Sequence, residues 1–219
     1  NQSNSMIIEK LRSKEEKGEK FFSFEYFPPK TAAGTQNLIA RMSRMADLGP
    51  VFIDVTWGAG GSTRDATLDI SSKAQHYCGV EVMMHLACSN MPVSEVRSAL
   101  EHAKRLGIRN ILALRGDPPK GEAGWRPHEE GFQYAEQLVR FIHAEFPGQF
   151  GVAVAGFAEG HPDSAGYEED LRHLKAKVEA GADFVITQLF FDVERMLSFI
   201  QDCRAAGIEC PILPGVMPI

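Results

Sequence analysis

Ile111-Leu-Ala-Leu-Arg-Gly-Asp-Pro-Pro119 starts as a short apolar run and ends in two opposed charges around a glycine. The run reads as a strand buried on both faces, as in a parallel sheet. Pro118 and Pro119 cannot extend a central strand, so the strand ends by Asp117. Charges at the end of a buried strand are costly unless partnered. They read either as an Arg115–Asp117 ion pair closing a loop or as part of a ligand site. What bears on the choice is that the rest of the chain repeats the same plan around this strand.

Upstream, Phe21 to Phe27 is an aromatic strand stopped by Pro28-Pro29, and a helix is expected over 35–48 before Gly49-Pro50. Val51 to Trp57 is the next strand, followed by the glycine cluster at 58–61 and a helix over 64–76. The strand Val80 to Cys88 leads to a helix with Pro92 in its first turn. Downstream, 118–130 is one long irregular connection, expected to be mobile beside the strand ends. A helix over 131–146, the strand Phe150 to Phe157, a helix from Tyr167 to Ala180 and the strand Ala182 to Phe191 follow. The helix Val193 to Ala206 and a strand starting at Cys210 end the pattern. Gly107, Gly181 and Gly207 each close a helix just before the next strand.

Seven β-then-α units with no break in composition predict an α/β protein, a (β/α)8 TIM barrel with its last β/α unit absent from this chain. A doubly wound sheet is the runner-up, but no G-x-G-x-x-G follows the first strand. Residues 1–5 read as an appended scar, 6–20 as an N-terminal helix, and 21–219 as a catalytic barrel incomplete at its C-terminal end.

The chain has 219 residues, 44% hydrophobic and 24% charged, enough for a substantial core. No apolar run is long enough to span a membrane, and a net charge of −6 argues against a nucleic-acid partner. Cys78, Cys88, Cys203 and Cys210 show neither C-x-x-C nor metal-like spacing, so no metal is expected and reduced thiols favour a cytoplasmic location.

Barrel chemistry sits at the C-terminal strand ends. Those ends carry Glu25, Thr56, His85, Arg115-Gly116-Asp117, Phe157 with His161, and Gln188. Alternation puts Glu25 in phase with Ser23 and Asp54 with Thr56, facing the barrel mouth, while Phe22, Phe24 and Tyr26 face the helices. Beside Phe27 and Pro28, Glu25 is expected to be desolvated, with the raised pKa of a general acid. Plainer readings stand alongside: Glu25 paired with a base, His85 a satisfied core histidine, His161 serving its own turn, Lys175 and Lys177 solvated on a helix.

Phe24-Glu-Tyr-Phe-Pro-Pro29, Asp54-Val-Thr-Trp-Gly-Ala59, His85-Leu-Ala-Cys88, Leu114-Arg-Gly-Asp117, Gly156-Phe-Ala-Glu-Gly-His-Pro162, Lys175-Ala-Lys-Val-Glu-Ala-Gly-Ala182 and Ile186-Thr-Gln-Leu-Phe-Phe191, in this order, resemble the catalytic domain of eukaryotic-like methylenetetrahydrofolate reductases. The resemblance implies a barrel that uses FAD to reduce 5,10-methylenetetrahydrofolate to 5-methyltetrahydrofolate with NADPH or NADH, by a ping-pong route through reduced flavin. It implies that Glu25 protonates nitrogen-10 of the folate and that Asp117 stabilises the resulting cation. Gln188, with Glu25 and Asp117, would bind folate. The FAD-contacting positions would be Thr56, Trp57, His85, Arg115, Gly116, Asp117, Tyr134, Ala135, Phe157, His161, Pro162, Asp163, Ser164, Asp170 and Lys177. Phe157 departs from the family's usual tyrosine, keeping the ring and losing the hydroxyl. The implied partners are the folate and the nicotinamide dinucleotide, with no nucleic acid and no membrane. A homo-oligomer is compatible with the resemblance, and the family's regulatory domain is not in this chain. The alternatives are a flavin-free, pterin-using barrel transferase or lyase, and an inactive fragment.

Overall fold

Most strands are buried on both faces, and the amphipathic helix that follows covers the outer one. In the computed structural model, residues 6–58, 64–117 and 128–217 are described. Their order is α1 (Ile7–Glu16), β1 (Phe24–Tyr26), α2 (Ala32–Ala46), β2 (Phe52–Val55), α3 (Arg64–Tyr77), β3 (Glu81–Ala87) and α4 (Val93–Arg105). Then come β4 (Asn110–Leu114), α5 (Ala135–Glu145), β5 (Gly151–Gly156), α6 (Tyr167–Glu179), β6 (Phe184–Leu189), α7 (Val193–Ala205) and β7 (Ile212–Gly215). The strands form one parallel sheet in sequential order, β1 to β7, with no reversal. That order removes the doubly wound alternative, whose strand order must reverse at a switch point.

The sheet curls. Phe52 on β2 and Phe184 on β6 have ring centroids 6.4 Å apart. In a flat sheet, strands four places apart would be separated by about 19 Å. Phe52, Met83, Leu112, Ala153, Phe184 and Leu213 fill the inside of the curl, and Ile7, Ile8 and Leu11 of α1 join them. The backbone N–H of Ile7 donates to Asn110 Oδ1 at 2.9 Å, where β4 begins. Lys10 reaches Glu81, at the start of β3, at 3.5 Å. Thus α1 stoppers the N-terminal end of the curl, and the C-terminal strand ends are left to the loops.

Alternation falls as expected. Phe24 and Tyr26 pack outward with Leu38, Met42, Ile53 and Val55, while Glu25 is in register with Asp54 on the inner phase. Gly107, Gly181 and Gly207 all adopt positive φ after their helices.

Several boundaries differ from expectation. The first helix ends at Glu16, because Gly18 turns the chain at φ 63°. β1 is three residues long rather than seven, and among the described residues it pairs only with β2. α2 begins at Ala32, since the Thr31 side chain accepts from the Gly34 N–H at 3.1 Å. Pro92 is the N-cap of α4 rather than part of its first turn. α5 starts only at Ala135, because Gln137 Oε1 accepts from the N–H groups of Gln133 and Tyr134 and fixes an extended entry. Residues 118–127 of the connection expected to be mobile, and residues 59–61 of the glycine cluster at 58–61, lie outside the described residues.

Candidate active site

β4 passes into the site without a break in pairing. The N–H of Cys88 donates to Leu114 O at 3.0 Å, and that of Ser89 to Arg115 O at 2.8 Å. Gly116 then adopts φ 89°, and a Cβ there would lie 2.3 Å from Ser89 Oγ and 2.8 Å from Ala87 Cβ. Conformation and space both demand glycine, which brings the backbone close to whatever occupies the rim.

Arg115 Nη2 stands 2.7 Å from Asp163 Oδ2, so the ion pair seen here joins β4 to the β5–α6 connection. The Asp163 N–H donates to His161 Nδ1 at 3.0 Å, which leaves the proton of a neutral His161 ring on Nε2. The His161 N–H donates to Asp170 Oδ2 at 2.8 Å, anchoring this turn to the start of α6. The ring of His161 meets that of Phe157 edge-on, centroids 4.7 Å apart. His161 therefore serves its own turn and the rim together.

Lys177 does not behave as a solvated helix lysine. Its ammonium donates to the carbonyl of Ala155 and lies 5.9 Å from the centre of the Phe157 ring. Burial pulls its pKa down to about 8; Asp170 opposes the shift and Arg115 adds to it. Lys175 is exposed, 3.8 Å from Glu179, and fits the plainer reading. Tyr134, the N-cap of α5, stacks on His173 of α6 with centroids 5.6 Å apart, and Ala135 is buried at the first helical position. Ser164 Oγ donates to Gly166 O at 3.0 Å, and Pro162 is exposed in the same turn.

Arg115, Phe157, His161, Asp163, Asp170 and Lys177 thus form one linked cluster over β4 to α6. Thr56 is buried, its backbone N–H donating to Tyr26 O at 3.0 Å and its carbonyl accepting from Thr67 Oγ1 at 2.9 Å. Trp57 packs against the outer core, and its Nε1–H is buried without a hydrogen-bond partner.

Glu25 corrects an expectation. It is exposed, not desolvated, because β1 is the edge strand and Phe27 is itself 69% exposed. The desolvated carboxyl is its register neighbour Asp54, which sequence reasoning placed only by phase. Asp54 is 4% exposed, and burial raises its pKa to about 6 although His85 pulls the other way. Asp117 and Gln188 are exposed at the ends of β4 and β6; Gln188 Oε1 accepts from the Leu189 N–H at 2.9 Å. Among the described residues no hydrogen bond joins any two of Glu25, Asp117 and Gln188, which are all exposed.

The linked cluster offers two cations, Arg115 and Lys177, an aromatic ring, Phe157, and the carboxylates Asp163 and Asp170 that partner them. Among the described residues, no group of three or more His, Cys, Asp or Glu side chains could hold a metal ion. No described helix is long and apolar enough to cross a membrane, and all four cysteines are free.

Comparisons with known proteins give the chain a family. "Methylenetetrahydrofolate reductase (NADH) 1" of Arabidopsis thaliana is 49% identical over 97% of this chain and 38% of its own length. "Probable methylenetetrahydrofolate reductase (NADPH)" of Caenorhabditis elegans is 39% identical over 98% of this chain and 33% of its own. The chain thus spans well under half the length of these relatives. A crystal structure of 2,3-dimethylmalate lyase, a PEP mutase/isocitrate lyase superfamily member, superposes with a TM-score of 0.66 over 98% of this chain and 75% of that one. At 14% identity that likeness shows the fold alone. A family model described as "Methylenetetrahydrofolate reductase" matches residues 10–219, nearly all of the sequence that builds the curled sheet and its rim, so the chain belongs to the methylenetetrahydrofolate reductase family.

Proposed function

We propose that the chain carries the catalytic site of an FAD-dependent reductase that converts 5,10-methylenetetrahydrofolate to 5-methyltetrahydrofolate with NADH or NADPH. The observation that carries this reading is the convergence of Glu25, Arg115, Asp117 and Gln188 on the C-terminal ends of one curled parallel sheet, in a family named for this reaction. We take residues 21–219 as the catalytic barrel and 6–20 as its stopper. One further β/α unit between β1 and β7 would close the sheet as a (β/α)8 barrel. The free thiols suit a cytosolic setting.

The residues present fit FAD. Arg115 raises the cost of a charged Lys177, and burial raises it further. A pyrophosphate beside both would relieve that repulsion. Gly116 allows the backbone to approach, and Phe157 offers an apolar ring edge. His85, Thr56, Trp57, the start of α5 at Tyr134 and Ala135, and 161–164 would complete the cradle. Asp163 and Asp170 act as partners of Arg115 and His161. Bound FAD would carry hydride from the nicotinamide to the folate.

Glu25 would donate the proton to nitrogen-10 of the folate, opening its five-membered ring. Asp117 would hold the pterin and stabilise the positive charge that ring opening creates. Gln188 would orient the folate by hydrogen bonding.

A visible absorbance spectrum of the purified protein tests the reading. Oxidised flavin that bleaches with NADH or NADPH and recovers with methylenetetrahydrofolate is expected. A colourless preparation that binds no added FAD would support a flavin-free transferase or lyase instead.

A further inference from the structure

Asp54 on β2 and His85 on β3 face each other on the inner side of the sheet, 4% and 6% exposed. Asp54 Oδ1 stands 3.6 Å from His85 Nε2, and each of these two atoms is buried without a hydrogen-bond partner. Two such atoms left apart would each carry the full cost of desolvation, whereas one proton held between them satisfies both. Among the described residues neither atom has another hydrogen-bond partner. The inner side chains beneath them include the apolar Phe52, Met83, Leu112 and Ala153, with Ile7, Ile8 and Leu11 of α1, and the buried polar side chains nearby include Thr56 and Asn110. On β4, the register partner of His85 is Leu112. The charged groups acting on Asp54 are His85 from β3 and Glu25 from β1, its own register partner.

We propose that Asp54 is a positioning residue: its carboxylate holds His85 through Nε2 and keeps a proton on that nitrogen, so that Nδ1 of the ring serves the ligand of the barrel mouth. A histidine held this way has one tautomer and one orientation, which a free imidazole lacks. Because Glu25 is the next carboxyl along the same layer, the dyad links the flavin side of the site to the acid on the folate side. This inference rests on the FAD reading above for the identity of the ligand, and on the geometry alone for the dyad.

Two measurements on the whole protein separate these claims. In the first, the seven histidines are labelled with 15N, and the ring signals of His85 are identified by their loss in His85→Gln. In wild type, Nε2 should carry the proton at neutral pH. In Asp54→Leu, which removes the acceptor, the ring should lose this preference and populate the Nδ1–H tautomer as well. An Nδ1–H tautomer in wild type, which needs no variant to fold, would overturn the proposal. An unchanged tautomer ratio in Asp54→Leu would do the same. In the second, FAD affinity is compared in wild type, Asp54→Leu and His85→Gln. Asp54→Leu should weaken FAD binding, and an affinity indifferent to both substitutions would overturn the claim that His85 meets the ligand. If wild type binds no FAD at any pH, the flavin reading fails, and the 15N result alone decides the dyad.

Discussion

Arg115 at the end of β4 and Asp163 in the β5–α6 connection are joined at 2.7 Å, and this contact draws the cationic part of the rim together. Through Asp163, His161 and Asp170 the chain of contacts reaches α6, which carries Lys177. The two cations are close enough for Arg115 to depress the pKa of Lys177.

Replacing either cation should therefore weaken FAD binding. Each charge-assisted contact is worth about 1.5–3 kcal/mol, so Arg115→Ala and Lys177→Ala should each raise the dissociation constant roughly ten- to a hundredfold. Titration of FAD into stripped protein measures it. Two variants that keep a full complement of FAD at unchanged affinity would remove these residues from the phosphate site.

Lys177 makes binding pH-dependent. With its pKa near 8 in the free protein, it is partly neutral at pH 8 to 9, and a bound anion would restore its proton. Binding of FAD in that range should take up protons, seen as a dependence of calorimetric heat on the buffer's ionisation enthalpy. Lys177→Met should abolish the uptake. Binding by wild type with no proton uptake between pH 8 and 9 would contradict the placement.

Gly116→Ala tests the rim's geometry independently of any ligand. The substitution puts a Cβ 2.3 Å from Ser89 Oγ at φ 89°, and positive φ alone costs an L-residue about 1–2 kcal/mol. The denaturation midpoint should fall, and Ser89→Ala should recover part of the loss by removing the nearest atom. Full stability in Gly116→Ala would mean that the β4 exit is not held as described.

Asp54 leaves a signature in stability. Its folded pKa, about 6, lies above the ordinary value of 3.8, so the native state binds more protons than the unfolded chain between these limits. The stability it contributes is complete below pH 3.8 and is lost as pH rises through 6. Asp54→Asn does not titrate, so wild type should lose ground to it across that window and run parallel above it. Parallel curves throughout would show that Asp54 is not desolvated.

The fold was largely legible because its cues are local. Strand alternation placed Glu25 and Asp54 on the inner phase, and Gly107, Gly181 and Gly207 marked helix ends through a left-handed turn that glycine allows. The site was legible as a set of strand ends but not as contacts. The meeting of Asp54 and His85 depends on the curl and register of two strands, which no spacing along the chain encodes. Lys177 sits on a helix whose charged pattern reads as solvated, and packing against Ala155 and Phe157 leaves it half-buried. The exposure of Glu25 was misjudged because aromatic neighbours in sequence suggested a pocket, whereas an edge strand leaves them open.

The most direct test of the account is anaerobic stopped-flow on Glu25→Gln in the whole protein, following the flavin through each half-reaction. Glutamine keeps the size and hydrogen bonding of Glu25 but cannot act as a carboxylic acid. Reduction by NADH or NADPH should proceed at nearly the wild-type rate. Reoxidation by methylenetetrahydrofolate should slow by roughly 10² to 10⁴, the usual cost of lost acid catalysis. Equal loss in both halves, or normal reoxidation, would contradict the assignment of Glu25 as the acid of a folate reductase.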